Sequence, residues 1–231
     1  MIRSDETSRI IDADLATLVQ RARMIAAAGG RKVLGITGTP GAGKSTVCAA
    51  LQDALGDAAV LVGMDGFHLA NAELTRLGRR DRKGAPDTFD VPGYVSLLRR
   101  LRAANEPVVY APFFDRSLEE SIGSAIAVPA RVPLVITEGN YLLHDEDGWD
   151  AVAPLLDESW FLDVEVDERR RRLVARRESY GHPSDAAAAW VDDVDEPNAR
   201  VVEPARERAD LVVRVTISTP SPQHTTQGVR S

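Results

Sequence analysis

Lys32-Val33-Leu34-Gly35-Ile36-Thr37, followed directly by Gly38-Thr39-Pro40-Gly41-Ala42-Gly43-Lys44-Ser45-Thr46, decides the fold. Lys32 to Thr37 reads as a short buried strand, Gly38 to Gly43 is too rich in glycine for either regular element, and Ser45 to Leu55 returns to helical spacing. The loop matches G-x-x-x-x-G-K-[ST] at every fixed position, and it lies between a strand and a helix as that motif requires. Its glycines let backbone N–H groups turn inward around a β-phosphate, and Lys44 can reach the β- and γ-oxygens. Ser45 offers a hydroxyl to Mg²⁺, and the helix that starts at Lys44 adds its positive dipole end. Nucleotide contacts are therefore expected from Gly38 through Thr46.

Working outward, Ile10, Ile11, Leu15, Leu18, Val19, Ala22 and Ile25 recur at helical spacing and predict an amino-terminal helix stopped by Gly29-Gly30. Further strands are expected over Ala59 to Met64, Pro107 to Tyr110, Leu134 to Thr137, Trp160 to Val166 and Leu211 to Val215. Helices are expected over Tyr94 to Ala104, Asp167 to Glu178 and part of Ala186 to Val202, the last broken at Pro197. Asn71 to Pro92, polar and charged, reads as a mobile or ligand-contacting loop. Strands alternating with helices imply a parallel sheet with ligands at its carboxyl edge. The expected architecture is an α/β P-loop NTPase three-layer sandwich with a mainly parallel sheet and an arginine-bearing helical lid. Residues 1–30 are expected to form a helix packed on the core, 31–217 the domain that carries the phosphate loop, and 218–231, rich in Ser, Thr, Pro and Gln, a disordered tail.

A chain of 231 residues suits one domain with a sizeable core. Its 35 acidic residues against 28 basic ones leave a net charge of −7, which argues against nucleic acid or an anionic membrane as a partner. No stretch approaches the length of a membrane span, and the polar start lacks the order of a secretory signal. The single cysteine, Cys48, excludes an intrachain disulfide or a cysteine-based metal site and favours a reducing compartment, so the cytoplasm is expected.

A phosphate loop alone does not separate a kinase from a switch GTPase or a transporter ATPase. No N-K-x-D sequence follows a later strand, and no L-S-G-G-Q-like stretch is present. Asp65, at the end of the second strand, falls at the same sheet edge as Lys44, where a carboxylate can accept the proton of an attacking hydroxyl. Glu138 ends the Leu134 to Thr137 strand as an acidic residue on the Mg²⁺ side. Arg172 and Arg176, four apart, share a helix face and can converge on a phosphate chain; the other arginines of that run are expected at the surface. His68 could bond a substrate hydroxyl, and Tyr110, Phe113, Phe114 and Trp190 are candidates for an acceptor pocket.

These residues together resemble the uridine kinase, phosphoribulokinase and bacterial pantothenate kinase superfamily, from about Val33 to Val215. Its carriers are Gly38 to Ser45, Met64-Asp65-Gly66-Phe67-His68, Lys83-Gly84-Ala85-Pro86-Asp87-Thr88-Phe89-Asp90, Tyr110 to Arg116, Ile136-Thr137-Glu138-Gly139-Asn140 and the Arg172 to Arg177 helix. The resemblance implies ATP and Mg²⁺, with Asp65 as base, Lys44, Arg172 and Arg176 at the transferring phosphoryl group, and Ser45 and Glu138 at the metal. It implies acceptor contacts from His68, Lys83, Tyr110, Phe114, Arg116 and Glu138, and a homodimer is a family-level expectation. The expected reaction is phosphoryl transfer from ATP to an alcohol of a nucleoside, pantothenate or sugar type. A regulatory ATPase acting on a protein partner stays open as the alternative.

Overall fold

The structure, a computed structural model, describes residues 10–216. The expected tail from Ser218 lies outside the described residues. In chain order the elements are β1 (Ile10–Ala13), α1 (Leu15–Ala27), β2 (Lys32–Thr37), α2 (Lys44–Leu55), β3 (Ala59–Gly63), α3 (Asn71–Arg76), α4 (Val91–Ala103), β4 (Val108–Asp115), β5 (Glu120–Pro129), β6 (Leu134–Glu138), β7 (Glu158–Asp163), α5 (Val166–Ser179), α6 (Ser184–Trp190), α7 (Glu196–Val202) and β8 (Leu211–Val215). Six strands form one parallel sheet in the order β1-β8-β7-β2-β6-β3, and β4 with β5 forms a separate antiparallel hairpin.

Side-chain alternation along the strands divides the core into two layers. Val33, Val135, Phe161 and Val212 meet Tyr94 and Leu98 of α4 together with Trp149 on one face. Leu34, Ile136, Trp160 and Val213 meet Leu18 and Ala22 of α1 and Val47 and Leu51 of α2 on the other. Both faces are covered, which is why these strands read as nearly continuous apolar runs. The two layers with the sheet between them are the three-layer sandwich. Among the described residues, no helix is long and apolar enough to cross a membrane.

Four local expectations are corrected. Ile10 and Ile11 are not helical: Ile10–Ala13 pairs in parallel with Val212–Val215, and α1 starts only after Asp14, whose Oδ1 accepts a 2.8 Å bond from the Thr17 N–H. The β-branched pair suits an added edge strand beside β8, and the Asp14 cap starts the helix directly after it. The stretch from Asn71 to Pro92 is not an irregular loop: it folds into α3 and several single turns tied by Asp87 to both Arg79 and Arg82, and its Arg80, Asp81, Lys83 and Gly84 line a cavity. Pro197 does not break the last helical run, because a wide π turn over Val191–Asp195 places it in the first turn of α7, where a missing N–H costs nothing. The strand expected over Pro107 to Tyr110 extends to Asp115 and returns as β5, which the weak strand propensity of Gly123, Ser124 and Ala125 concealed.

The parallel register then sets the site. Ile36, Glu138 and Gly63 are in line across β2, β6 and β3, so the chain leaves all three strands at one edge. The phosphate loop, the turn bearing Asp65 and the Glu138 carboxylate emerge together.

Candidate active site

The glycine loop is shaped by backbone that L side chains resist. Gly41 has φ +82°, and a Cβ there would sit 2.9 Å from Leu173 Cγ and 3.0 Å from the Arg169 carbonyl oxygen. The loop can therefore turn only because α5 finds no side chain beneath it. Lys44 is buried, its Nζ donating to the Gly38 carbonyl at 2.8 Å and the Thr39 carbonyl at 3.1 Å. Burial pulls its ammonium below the usual lysine value, and the Glu138 and Asp65 carboxylates oppose that pull.

Those carboxylates also act on each other. Burial, reinforced by the negative charge of Asp65, pushes Glu138 up to about 7, with Lys44 working against the shift. Asp65 lies in the single turn Met64–Phe67 that directly follows β3. Its carbonyl accepts from the His68 N–H at 3.1 Å and from His68 Nδ1 at 2.9 Å, which places the imidazole proton on Nδ1 and leaves Nε2 as the acceptor. Its carboxylate accepts from Arg116 Nη2 at 3.2 Å. A Cβ on Gly66 would meet the Pro112 carbonyl oxygen at 2.6 Å, so the β4–β5 hairpin rests on this turn because residue 66 has no side chain.

The hairpin and the segment before α4 form one wall. The His68 ring lies between Phe89 and Phe114, with centroids 4.0 and 4.7 Å away, and burial lowers its tendency to protonate. Lys83 Nζ donates to Asn71 Oδ1 at 2.8 Å and to the Glu119 carbonyl at 2.5 Å, and stands 4.9 Å from the Phe114 ring centroid. The opposite wall is α5. Arg172 Nε donates to Glu168 at 2.8 Å, and its Nη1 lies 3.5 Å from where a Cβ on Gly43 would be, so the guanidinium hangs over the phosphate loop. The Arg176 guanidinium makes no hydrogen bond or ion pair among the described residues and influences Lys44 electrostatically.

The two walls and the loop enclose a cavity of 660 Å³, within the range that holds small-molecule ligands. The structure brings Lys44, Ser45, Thr46, His68, Lys83, Phe114, Arg116, Glu138, Arg172 and Arg176 to its lining, with Pro40, Gly41 and Gly43 of the loop. Gly38, Thr39 and Ala42 complete the loop behind them. Asp65 is not itself a lining residue; Arg116, which is, pairs with it. Tyr110 is not brought there: it is 55% exposed on the outer face of the hairpin, as is Phe113 at 52%. A bulge between Ala111 and Phe113 resets the alternation and turns Phe114 inward. Trp190 does line the cavity, on the side of α5 and α6 rather than beside Phe114, with the Arg177 guanidinium 4.1 Å from its ring.

The expectation that the remaining arginines are at the surface fails at Arg169, which is buried and bonds Glu196 at 2.6 Å. Arg80 and Asp81, from the stretch read as mobile or ligand-contacting, also line the cavity, with Glu119 and Asn140; Tyr180 and Asn198, which sequence reasoning did not single out, complete the lining. The charge of the Asn71 to Pro92 stretch was a signal for the first two; Tyr180 and Asn198 offered none.

Ser45 and Glu138 give the cavity a hydroxyl and a carboxylate, oxygen donors suited to a hard divalent cation. Among the described residues, no three His, Cys, Asp or Glu side chains converge to hold a metal alone. The donor set thus fits an ion that takes its other ligands from phosphate and water, as Mg²⁺ does.

Residues 33–220 match the Phosphoribulokinase / Uridine kinase family. The chain belongs to that family. Membership makes it a P-loop kinase, a phosphotransferase with an alcohol acceptor, and implies use of ATP. It is similar to the uncharacterized protein YggC of Escherichia coli (strain K12), 36% identical over 80% of this chain and 78% of YggC. It is also similar to the pantothenate kinase of Leifsonia xyli subsp. xyli, 29% identical over 79% of this chain and 65% of that one. Among solved structures, a "putative fructose transport system kinase" from Silicibacter sp. TM1040 aligns with a TM-score of 0.77 at 39% identity, over 87% of this chain and 98% of its own.

Proposed function

We propose that this kinase transfers the γ-phosphoryl group of ATP to a hydroxyl of a small metabolite of the nucleoside, pantothenate or sugar type. One observation carries the reading: a single cavity is lined by the phosphate loop, by the Lys83, Phe114 and Arg116 wall, and by the lid arginines, with the Asp65–Glu138 carboxylate pair at the same edge.

In this reading the loop N–H groups and Lys44 hold the phosphates, and Lys44 exchanges its bonds to the Gly38 and Thr39 carbonyls for phosphate oxygens. Ser45 and Glu138 hold Mg²⁺, which when bound neutralises charge on the phosphate oxygens. Asp65 orients the acceptor hydroxyl and takes its proton. The acceptor oxygen bonds to the γ-phosphorus as the bond from that phosphorus to the bridging oxygen breaks, and ADP leaves with the electron pair. Arg172 and Arg176 lie where charge spreads over the transferring group. His68 Nε2, its tautomer fixed by the Asp65 carbonyl, accepts from a second acceptor hydroxyl.

The test is an acceptor screen with ATP and Mg²⁺, read both as ADP release and as phosphate mass gained by the small molecule. Phosphorylation of one alcohol supports the reading. ADP release that is indifferent to every small alcohol and stimulated only by a protein contradicts it.

A further inference from the structure

Two of the three cations on the acceptor wall, Arg80 and Lys83, form no ion pair among the described residues. Arg80, Lys83 and Arg116 line that end of the cavity. The Arg80 guanidinium makes no hydrogen bond or ion pair among the described residues, although its charge reaches Lys83. Lys83 is held by two neutral oxygens, the side-chain amide of Asn71 and the backbone carbonyl of Glu119, and no carboxylate neutralises it at hydrogen-bond distance.

The nearby carboxylates are mostly committed elsewhere. Asp87 holds Arg79 and Arg82, Glu120 accepts from the Asn71 N–H, and Asp115 accepts from Ser117 and Leu118 at the hairpin tip. Asp81 and Glu119 share the lining, but neither forms an ion pair with the three cations. Only Arg116 has a carboxylate partner, and that partner is Asp65. Neutral groups suited to a polyol are scarce on this wall: no lining Ser, Thr, Gln or Tyr comes from it, and the Nδ1 of His68 is already used.

We propose that the acceptor alcohol carries an anionic group, a carboxylate or a phosphate monoester, seated among Arg80, Lys83 and Arg116, and that its arrival draws Arg116 away from Asp65. This rests on the kinase reading above and narrows its substrate class. The Asp65 carboxylate accepts from Arg116 at 3.2 Å. The substrate's own anion competes for that guanidinium, which can bind either group through a planar fork of donors. The base is thus released by the molecule whose proton it takes, so that a water molecule, with no anion to offer, leaves the Asp65–Arg116 pair intact.

Matched acceptors test it: glycerate against glycerol and pantothenate against pantothenyl alcohol for the carboxylate, ribose 5-phosphate against ribose for the phosphate. Because sites built around a polar partner reject the analogue that lacks it, the acidic member of at least one pair should exceed its neutral partner about tenfold or more in kcat/KM. Arg116→Gln should bring that ratio close to one, and Arg116→Lys, which keeps the charge, should retain part of the preference. Whether the favoured pair is of the carboxylate or phosphate kind identifies the anion. Should Arg116→Gln fail to fold, Arg80→Gln, a change at an exposed side chain, should lower the same ratio. Equal or better turnover of the neutral members overturns the anionic acceptor while leaving the kinase reading standing, and so does a variant that slows both members alike. No phosphorylation of any member, with ATP still bound, overturns both.

Discussion

Lys44 Nζ donates to the Gly38 carbonyl at 2.8 Å, folding the ammonium back on its own loop. With the Thr39 carbonyl it has two neutral partners, enough to keep a buried charge tolerable but weaker than phosphate oxygens, so the group is held in place yet ready to exchange. Lys44→Ala should therefore weaken ATP binding and also cut kcat/KM, by about 100-fold or more, since a donor aimed at the transferring group is lost. Calorimetry with ATP and steady-state kinetics read the two effects separately. Intact ATP affinity in this variant contradicts the assigned contact.

Glu138 makes stability depend on pH in an unusual direction. Its folded carboxyl is pushed up to about 7 from an ordinary 4.5, so between those values the folded chain keeps a proton that the unfolded chain releases. Stability must then fall as pH rises through that window and stay lower above it, by at most about 3 kcal/mol. Glu138→Gln removes the burden: without nucleotide or Mg²⁺, the variant should melt above the parent at pH 8, and the difference should vanish near pH 4.5. Parallel melting curves across the range would refute this.

Gly66 tests how the acceptor wall is attached. A methyl group at this position would press on the Pro112 carbonyl at 2.6 Å, against backbone that cannot rotate aside. Gly66→Ala should cost roughly 1–3 kcal/mol through overpacking. It should raise KM for the acceptor more than KM for ATP, because the hairpin shifts and the phosphate loop does not. Equal effects on both would detach the hairpin from acceptor binding.

Arg169 and Arg171 occupy the same helix with opposite expected costs. Arg169 is 4% exposed and bonds Glu196, whereas the Arg171 side chain is 76% exposed beside Glu168. Arg169→Ala takes from Glu196 its buried partner and leaves it only the more exposed Arg170 at 3.2 Å, so it should cost about 1–3 kcal/mol. Arg171→Ala should cost about 1 kcal/mol or less. Chemical denaturation of the two variants measures the contrast.

That pair also marks where sequence reading succeeded and where it stopped. The loop from Gly38 to Ser45 and the strands ending at Gly63 and Glu138 were legible because each is a local pattern, and parallel register does the rest. The run of arginines in α5 was legible as a charged helix, but which arginine turns inward depends on α7 and on the loop beneath. Both are distant in sequence, so Arg169 was misplaced. Ile10 and Ile11 fit a helix as well as a strand, and only the free edge of β8 decides between them. Tyr110 lies off the cavity lining because one bulge, invisible in composition, changes which side of β4 faces the cavity.

In the proposed reaction, phosphates held by the first glycine loop face a proton acceptor at the tip of the neighbouring strand. It is tested most directly by Asp65→Asn in a single-turnover assay with an accepted alcohol, ATP affinity being measured in parallel. The transfer rate should fall by about 10²–10⁴ with ATP binding nearly unchanged. A transfer rate within about twofold of the parent, below the range expected for a lost general base, would contradict it.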